Sequence, residues 1–165
     1  MPDQNITDRL IPVHVIETIV RARAGTRLWF AFGPDMALDV AAQLVPDPEF
    51  LTVASVGSRR LIFNSEGQPC MIPRAGHTVY GTIWQIADAA MAGLDIRLAV
   101  PSATHRNGVL ARSPTGKPIL AEYHTPRLQR ASKVSPDVLA PIIAVATQLE
   151  FPPLYLDQLA QWGLR

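Results

Sequence analysis

The chain has 165 residues, the size of one compact domain, since such domains usually hold roughly 100–200 residues. Hydrophobic residues make up 48% and charged residues 18%, which argues against disorder and for a single buried core. Lysine and arginine number 15 against 14 acids, a net charge of +1, and a dedicated nucleic-acid binder carries a larger basic excess.

The basic excess that exists is local. Six cations fall between Thr104 and Val134 (Arg106, Arg112, Lys117, Arg127, Arg130, Lys133) against one acid, Glu122. They read as a solvated face, with an anionic ligand as the sharper alternative. A single cysteine, Cys70, excludes an intrachain disulfide and reads as a small buried apolar residue. Crossing a membrane as a helix takes about 20 mostly apolar residues. The longest apolar run, Val138 to Ala146, has nine and includes Pro141. Asp3 and Asp8 do not suit a secretory signal, so no membrane association and a cytoplasmic location are expected.

In chain order, residues 1–26 read as a leader and 27–165 as one domain. Ile11 to Val20 is apolar but fits neither a helical nor a strand period. Leu28-Trp29-Phe30-Ala31-Phe32 is a short aromatic-rich apolar run ending at Gly33, which predicts a buried strand. After the turn Gly33-Pro34-Asp35, the spacing of Met36, Val40, Ala41 and Leu44 predicts a helix, stopped by Pro46 and Pro48. Such a helix start offers unpaired backbone N–H groups, a ready cradle for a carboxylate, or else a plain strand–helix connection that Asp35 caps.

Two strands are predicted next, Leu51–Val56 and Arg60–Phe63, separated by Gly57-Ser58, then a turn over 64–68. Thr78 to Ile86 alternates, with Val79, Gly81 and Ile83 on one face and Tyr80, Thr82, Trp84 and Ile86 on the other. A short helix over 87–94 has Asp88 as its expected N-cap. Residues 108–111 and 119–124 predict a strand pair joined by a turn over 113–117. Ser135 and Pro136 suit a helix N-cap and first position, Pro141 suggests an early bend, and a last helix runs from Leu154 to Trp162 with Gly163 as its cap. Strands in the middle and helices toward one end make the fold α+β.

Chemistry-bearing motifs of general type are few. His14, His77, His105 and His124 lack helical i, i+4 pairing, and one cysteine cannot build a structural zinc centre, so no metal is expected. No glycine-rich phosphate loop and no serine elbow is present.

A family resemblance covers most of the chain, about residues 27–162. The segment Phe30-Ala31-Phe32-Gly33-Pro34-Asp35-Met36 is similar to the FAYGSNM-type loop of the γ-glutamylcyclotransferase-like (AIG2-like) family. Ala54 to Phe63 resembles its A-x-L-x-G-Y-R-L-x-F segment, Val79 to Trp84 its V-x-G-x-x-(Y/W) strand, and Leu94-Asp95 the start of its L-D-x-x-E motif. Arg106, Tyr123 and Ser135-Pro136 follow in the family's order.

The resemblance implies a small, mostly antiparallel β-barrel with flanking helices. It implies a loop after the first strand that binds the glutamyl end of a substrate through backbone amides, with Phe32, Gly33, Pro34, Asp35, Met36 and Tyr123 as binding residues. It also implies a glutamate as general base, which helps the substrate's α-amine attack its own γ-carbonyl and release 5-oxoproline, without a cofactor. The position of that glutamate, counted from Leu94-Asp95, holds Leu98. Leucine accepts no proton, and loss of a general base costs about 10²–10⁴ in rate. Pro34 also lacks an N–H. Asp35, the one acid on the loop, is the first candidate to replace the base. The expected partner is therefore a small γ-glutamyl or carboxylate compound, acted on weakly by a cyclising acyltransferase or merely bound; a structural or interaction module on the same fold is the alternative.

Overall fold

The computed structural model describes residues 18–163. The elements are β1 (Thr26–Ala31), a short 3-10 turn (Pro34–Met36), α1 (Leu38–Leu44), β2 (Glu49–Phe63) and β3 (Pro69–Ala87). They continue with α2 (Asp88–Arg97), β4 (Thr104–Arg112), β5 (Pro118–Pro126), α3 (Pro136–Gln148) and α4 (Pro153–Ala160). The five strands close a barrel in the order β1-β3-β2-β4-β5. Every pairing is antiparallel except β1 with β5, which meet in parallel at Trp29 and Glu122. The expected α+β architecture, a small, mostly antiparallel barrel with flanking helices, is the observed one. Most of the expected leader lies outside the described residues; within its described part, Val20 forms a parallel bridge with Ile119.

Two expected strands are one. Gly57-Ser58 reads as a break, yet β2 runs unbroken for 15 residues. The irregularity is absorbed as a bulge: Gly57 pairs with Thr78 and Arg59 with Pro73, so 74–77 of β3 are extra, and Ser58 sits at φ 55°. A bulge bends a long strand and sharpens its twist, as closure of a small barrel requires. At the end of this hairpin, fully buried Asn64 accepts from the N–H groups of Glu66 and Gln68 and donates to Gln68 Oε1 and to the Leu128 carbonyl. Such complete pairing is what a buried amide needs.

Alternation along β3 holds, but both faces are covered. Val79, Gly81 and Ile83 are buried, and so are Thr82, Trp84 and Ile86 on the other face. Tyr80, on that second face, packs against Phe151 and Tyr155 at ring separations of 5.6 and 5.0 Å, so the C-terminal helices shield what would otherwise be an open sheet face. Helix boundaries differ modestly. Pro141 sits on the exposed side of an uninterrupted α3, and Gly163 lies beyond α4, bridged to Val134. Asp88 opens α2 without capping it; its carboxylate takes Arg27 Nε at 3.0 Å.

Gly81 marks where the barrel is tightest. A Cβ there would lie 2.3 Å from the Ala31 carbonyl oxygen and 2.6 Å from the Phe30 ring. The first obstacle is backbone, which cannot swing aside. Gly81→Ala is therefore expected to destabilise the fold by about 2–3 kcal/mol or more, as overpacking a tight core does. Urea unfolding monitored by tryptophan fluorescence checks this, and an unchanged midpoint contradicts it.

Candidate functional site

The end of β1 delivers the chain into one wall of a cavity of about 200 Å³. Trp29, Phe30, Phe32, Gly33, Pro34 and Asp35 line it from β1 and its loop. Val40 and Leu44 of α1, Leu94 and Leu98 at the end of α2, and Thr104, His124 and Pro126 from β4 and β5 complete most of the rest. Apolar side chains dominate, and the polar lining is short: Asp35, Gln68, Thr104 and His124. A few placed polar groups on apolar walls is the usual composition of a small-molecule site. A larger groove, about 460 Å³, lies beside α4, but Arg60 and Lys133 there stack on Trp162, and none of the sequence-predicted binding residues lines it.

Of the residues expected to bind, Phe32, Gly33, Pro34 and Asp35 line the cavity. Met36 and Tyr123 are buried but are not lining residues; Tyr123 packs edge-on against Phe32 at 6.2 Å. Leu98, at the C-cap of α2, lies half-buried in the cavity wall.

The loop itself differs from a helix start. Pro34–Met36 forms a 3-10 turn, Ala37 is extended, and the α-helix begins only at Leu38. Proline stands at the first position of this tighter turn, after Gly33 at φ −119° and ψ −147°. Three of its N–H donors are engaged within the loop. Gly33 N–H donates to Asp35 Oδ1 at 3.1 Å, Met36 N–H to the Gly33 carbonyl, and Ala37 N–H to the Pro34 carbonyl. Gly33 is also confined, since a Cβ there would lie 2.9 Å from Pro69 Cγ.

Burial pushes the Asp35 carboxyl up from 3.8 to about 6, against the opposing pull of backbone N–H groups. Asp35 is the one carboxylate among the lining residues.

The second titratable group, His124, is one that the sequence does not bring forward. On β4 and β5, Arg106 and His124 are direct cross-strand partners, so both side chains reach the same side of the ribbon. There they meet Asp95 in the last turn of α2. Arg106 Nη1 donates to Asp95 Oδ2 at 2.6 Å, and His124 Nε2 lies 2.8 Å from Asp95 Oδ1. The ladder of charges continues outward: Arg106 Nε stands 3.5 Å from Glu122, and Arg27 bridges Glu122 and Asp88. Arg106 is thus committed to the protein's own acids, and Arg127 Nε donates to the Pro101 carbonyl at 2.7 Å. The available signal was the alternation of β5, which puts Glu122 and His124 on one face and Tyr123 on the other.

Cys70 is buried, its thiol pushed up to about 11, as expected of an unreactive packing residue. Among the described residues no helix is long and apolar enough to cross a membrane. No cluster of three or more His, Cys, Asp or Glu side chains placed to hold a metal ion occurs among them either.

Comparison with solved structures places the fold. A γ-glutamyl cyclotransferase superposes with a TM-score of 0.75 at 22% identity, covering 82% of this chain and 86% of that one. An uncharacterised protein from Homo sapiens gives 0.75 at 22%, covering 82% and 87%. An AIG2-like protein from Mus musculus gives 0.56 at 18%, covering 69% and 82%. No family model matches the sequence, and no curated protein does. The chain has the γ-glutamylcyclotransferase-like fold, the one its sequence resembles.

Asp35 generates a pH-dependent prediction. The unfolded chain loses this proton near 3.8 and the folded one near 6, so folding stability falls as pH rises across that window and stays reduced above it. Asp35→Asn keeps an oxygen for the Gly33 N–H but has no proton to lose. It is expected to match the wild type near pH 4 and to exceed it by about 1–3 kcal/mol at pH 7. Chemical denaturation at both values checks this, and a difference independent of pH contradicts it.

Proposed function

We propose that this protein holds a small amine-bearing compound of the γ-glutamyl kind in the cavity beside β1, with ordinary cyclotransferase turnover weak or absent. The observation that carries this reading is the cavity wall at Leu98. An aliphatic side chain stands at the C-cap of α2, where the family resemblance calls for a glutamate, and Asp35 is the one carboxylate that faces the same space. Proton abstraction from position 98 is closed, and that alone lowers turnover by about 10²–10⁴.

The loop supports the same conclusion from the binding side. With its Gly33, Met36 and Ala37 N–H groups engaged internally and Pro34 lacking one, it offers little to a ligand carboxylate while Asp35 is ionised. An ionised Asp35 attracts the ammonium end of a ligand instead. A carboxylate ligand is favoured only as Asp35 takes up its proton, toward pH 6 and below.

The experiment incubates the protein with γ-glutamyl-alanine and measures 5-oxoproline by chromatography, alongside thermal shift at increasing ligand. The expected result is stabilisation that grows with ligand concentration, since a ligand held by the native state alone raises its stability. Release of 5-oxoproline should be slow, and Leu98→Glu should raise it by about 10²-fold. Fast turnover by the wild type overturns the reading, and so does the absence of any ligand-dependent shift.

A further inference from the structure

The His124 side chain is nine-tenths buried, 7% exposed, and the residue is one of those lining the cavity. Its two nitrogens have different surroundings. Nε2 is held by Asp95, which is not itself a lining residue. Nδ1 is buried and has no hydrogen-bond partner among the described residues. A buried polar atom left unpaired is costly, and such atoms in native structures usually serve a ligand or a reaction.

The neighbours decide the tautomer. Asp95 accepts, so Nε2 carries the hydrogen and Nδ1 presents a lone pair. Asp95 is itself fixed by Arg106 through its other oxygen at 2.6 Å. A carboxylate that orients an imidazole in this way is the usual means of preparing a histidine to accept a proton. We propose that His124 is the proton acceptor of this cavity: its Nδ1 receives the hydrogen bond, and then the proton, of an ammonium group on the bound compound. Asp95 and Arg106 are positioning residues. This rests on the reading that the cavity takes a small amine-bearing compound.

The charges around the ring suit the role. Burial lowers the affinity of His124 for a proton, and Arg106 lowers it further, against the opposing effect of Asp95 and Glu122. The ring is therefore neutral at pH 7, ready to accept. Asp35 lines the same cavity from the β1 loop and supplies the one negative charge that an ammonium would meet there.

The test has two arms. In the first, ¹⁵N NMR of the histidine-labelled protein at pH 7, without ligand, reads which nitrogen of His124 carries the hydrogen. Nε2–H is expected, and a hydrogen on Nδ1 overturns the proposal; this arm needs no variant. In the second, γ-glutamyl-alanine is titrated calorimetrically into the wild type and into His124→Gln, whose amide can still donate to Asp95 but offers no Nδ1. At least tenfold weaker binding by the variant is expected, with a melting temperature within a few degrees of the wild type; equal binding overturns the proposal. If neither protein binds γ-glutamyl-alanine, the function proposed above fails, and the same pair is titrated with n-butylamine, which carries only the amine and an apolar chain. Binding by the wild type that the variant lacks sustains His124 as the acceptor, and equal or absent binding removes it.

Discussion

The Asp95 carboxylate receives two side chains at once, Arg106 on one oxygen and His124 on the other, at 2.6 and 2.8 Å. These two come from adjacent strands, where they are paired directly across the β4–β5 ladder, and Asp95 comes from the last turn of α2. The contact thus staples the end of a helix to the barrel. Three residues further on, Leu98 caps that helix, so the same contact places the cavity wall. A charge-assisted pair of this kind is short and directional, which suits positioning better than it suits raw stability. The outward chain through Glu122, Arg27 and Asp88 keeps each partly buried charge accompanied.

The barrel provides the rigid frame. Long strands with bulges let five strands close on a core of Phe30, Phe63, Val79 and Ile83, and the contact between β1 and β3 is so close that only a hydrogen fits at Gly81. β1 ends beside that contact, at the cavity. The loop beyond it is correspondingly confined, with Gly33 held against Pro69 and its N–H taken by Asp35.

Inside the cavity, low polarity acts on two titratable groups in opposite directions. Burial raises Asp35 to about 6 and lowers His124 from its ordinary value. Both shifts favour the neutral form, as desolvation requires. Near neutral pH, one group is an anion close to the point of taking a proton and the other an unprotonated base. Environments that tune two neighbouring groups separately are the ordinary physical route to distinct acid and base roles. With Leu98 in the wall, the cavity relies on these two groups, Gln68 and Thr104 for its polar chemistry.

Much of this was legible in the residues. Apolar runs, alternation and proline breaks located most elements, because local period and turn chemistry depend on near neighbours. The motif order points to the fold, and Phe32 to Asp35 and Leu98, singled out in the sequence, line the cavity. Distance along the chain hid the rest. The bulge at Gly57 reads locally as a chain break, and only pairing with β3 makes it one strand. The loop after β1 reads as a helix start, but it folds as a 3-10 turn whose Gly33 lies against Pro69 of β3. Which face of β5 meets the cavity was not decidable from alternation, which shows that Tyr123 and His124 oppose one another but not which side a helix will cover. From the residues alone came most of the elements, the leucine at position 98 and the acid on the loop. Tertiary structure alone decided that Asp95, Arg106 and His124 meet, because their contact depends on strand register and a helix end set by distant parts of the chain.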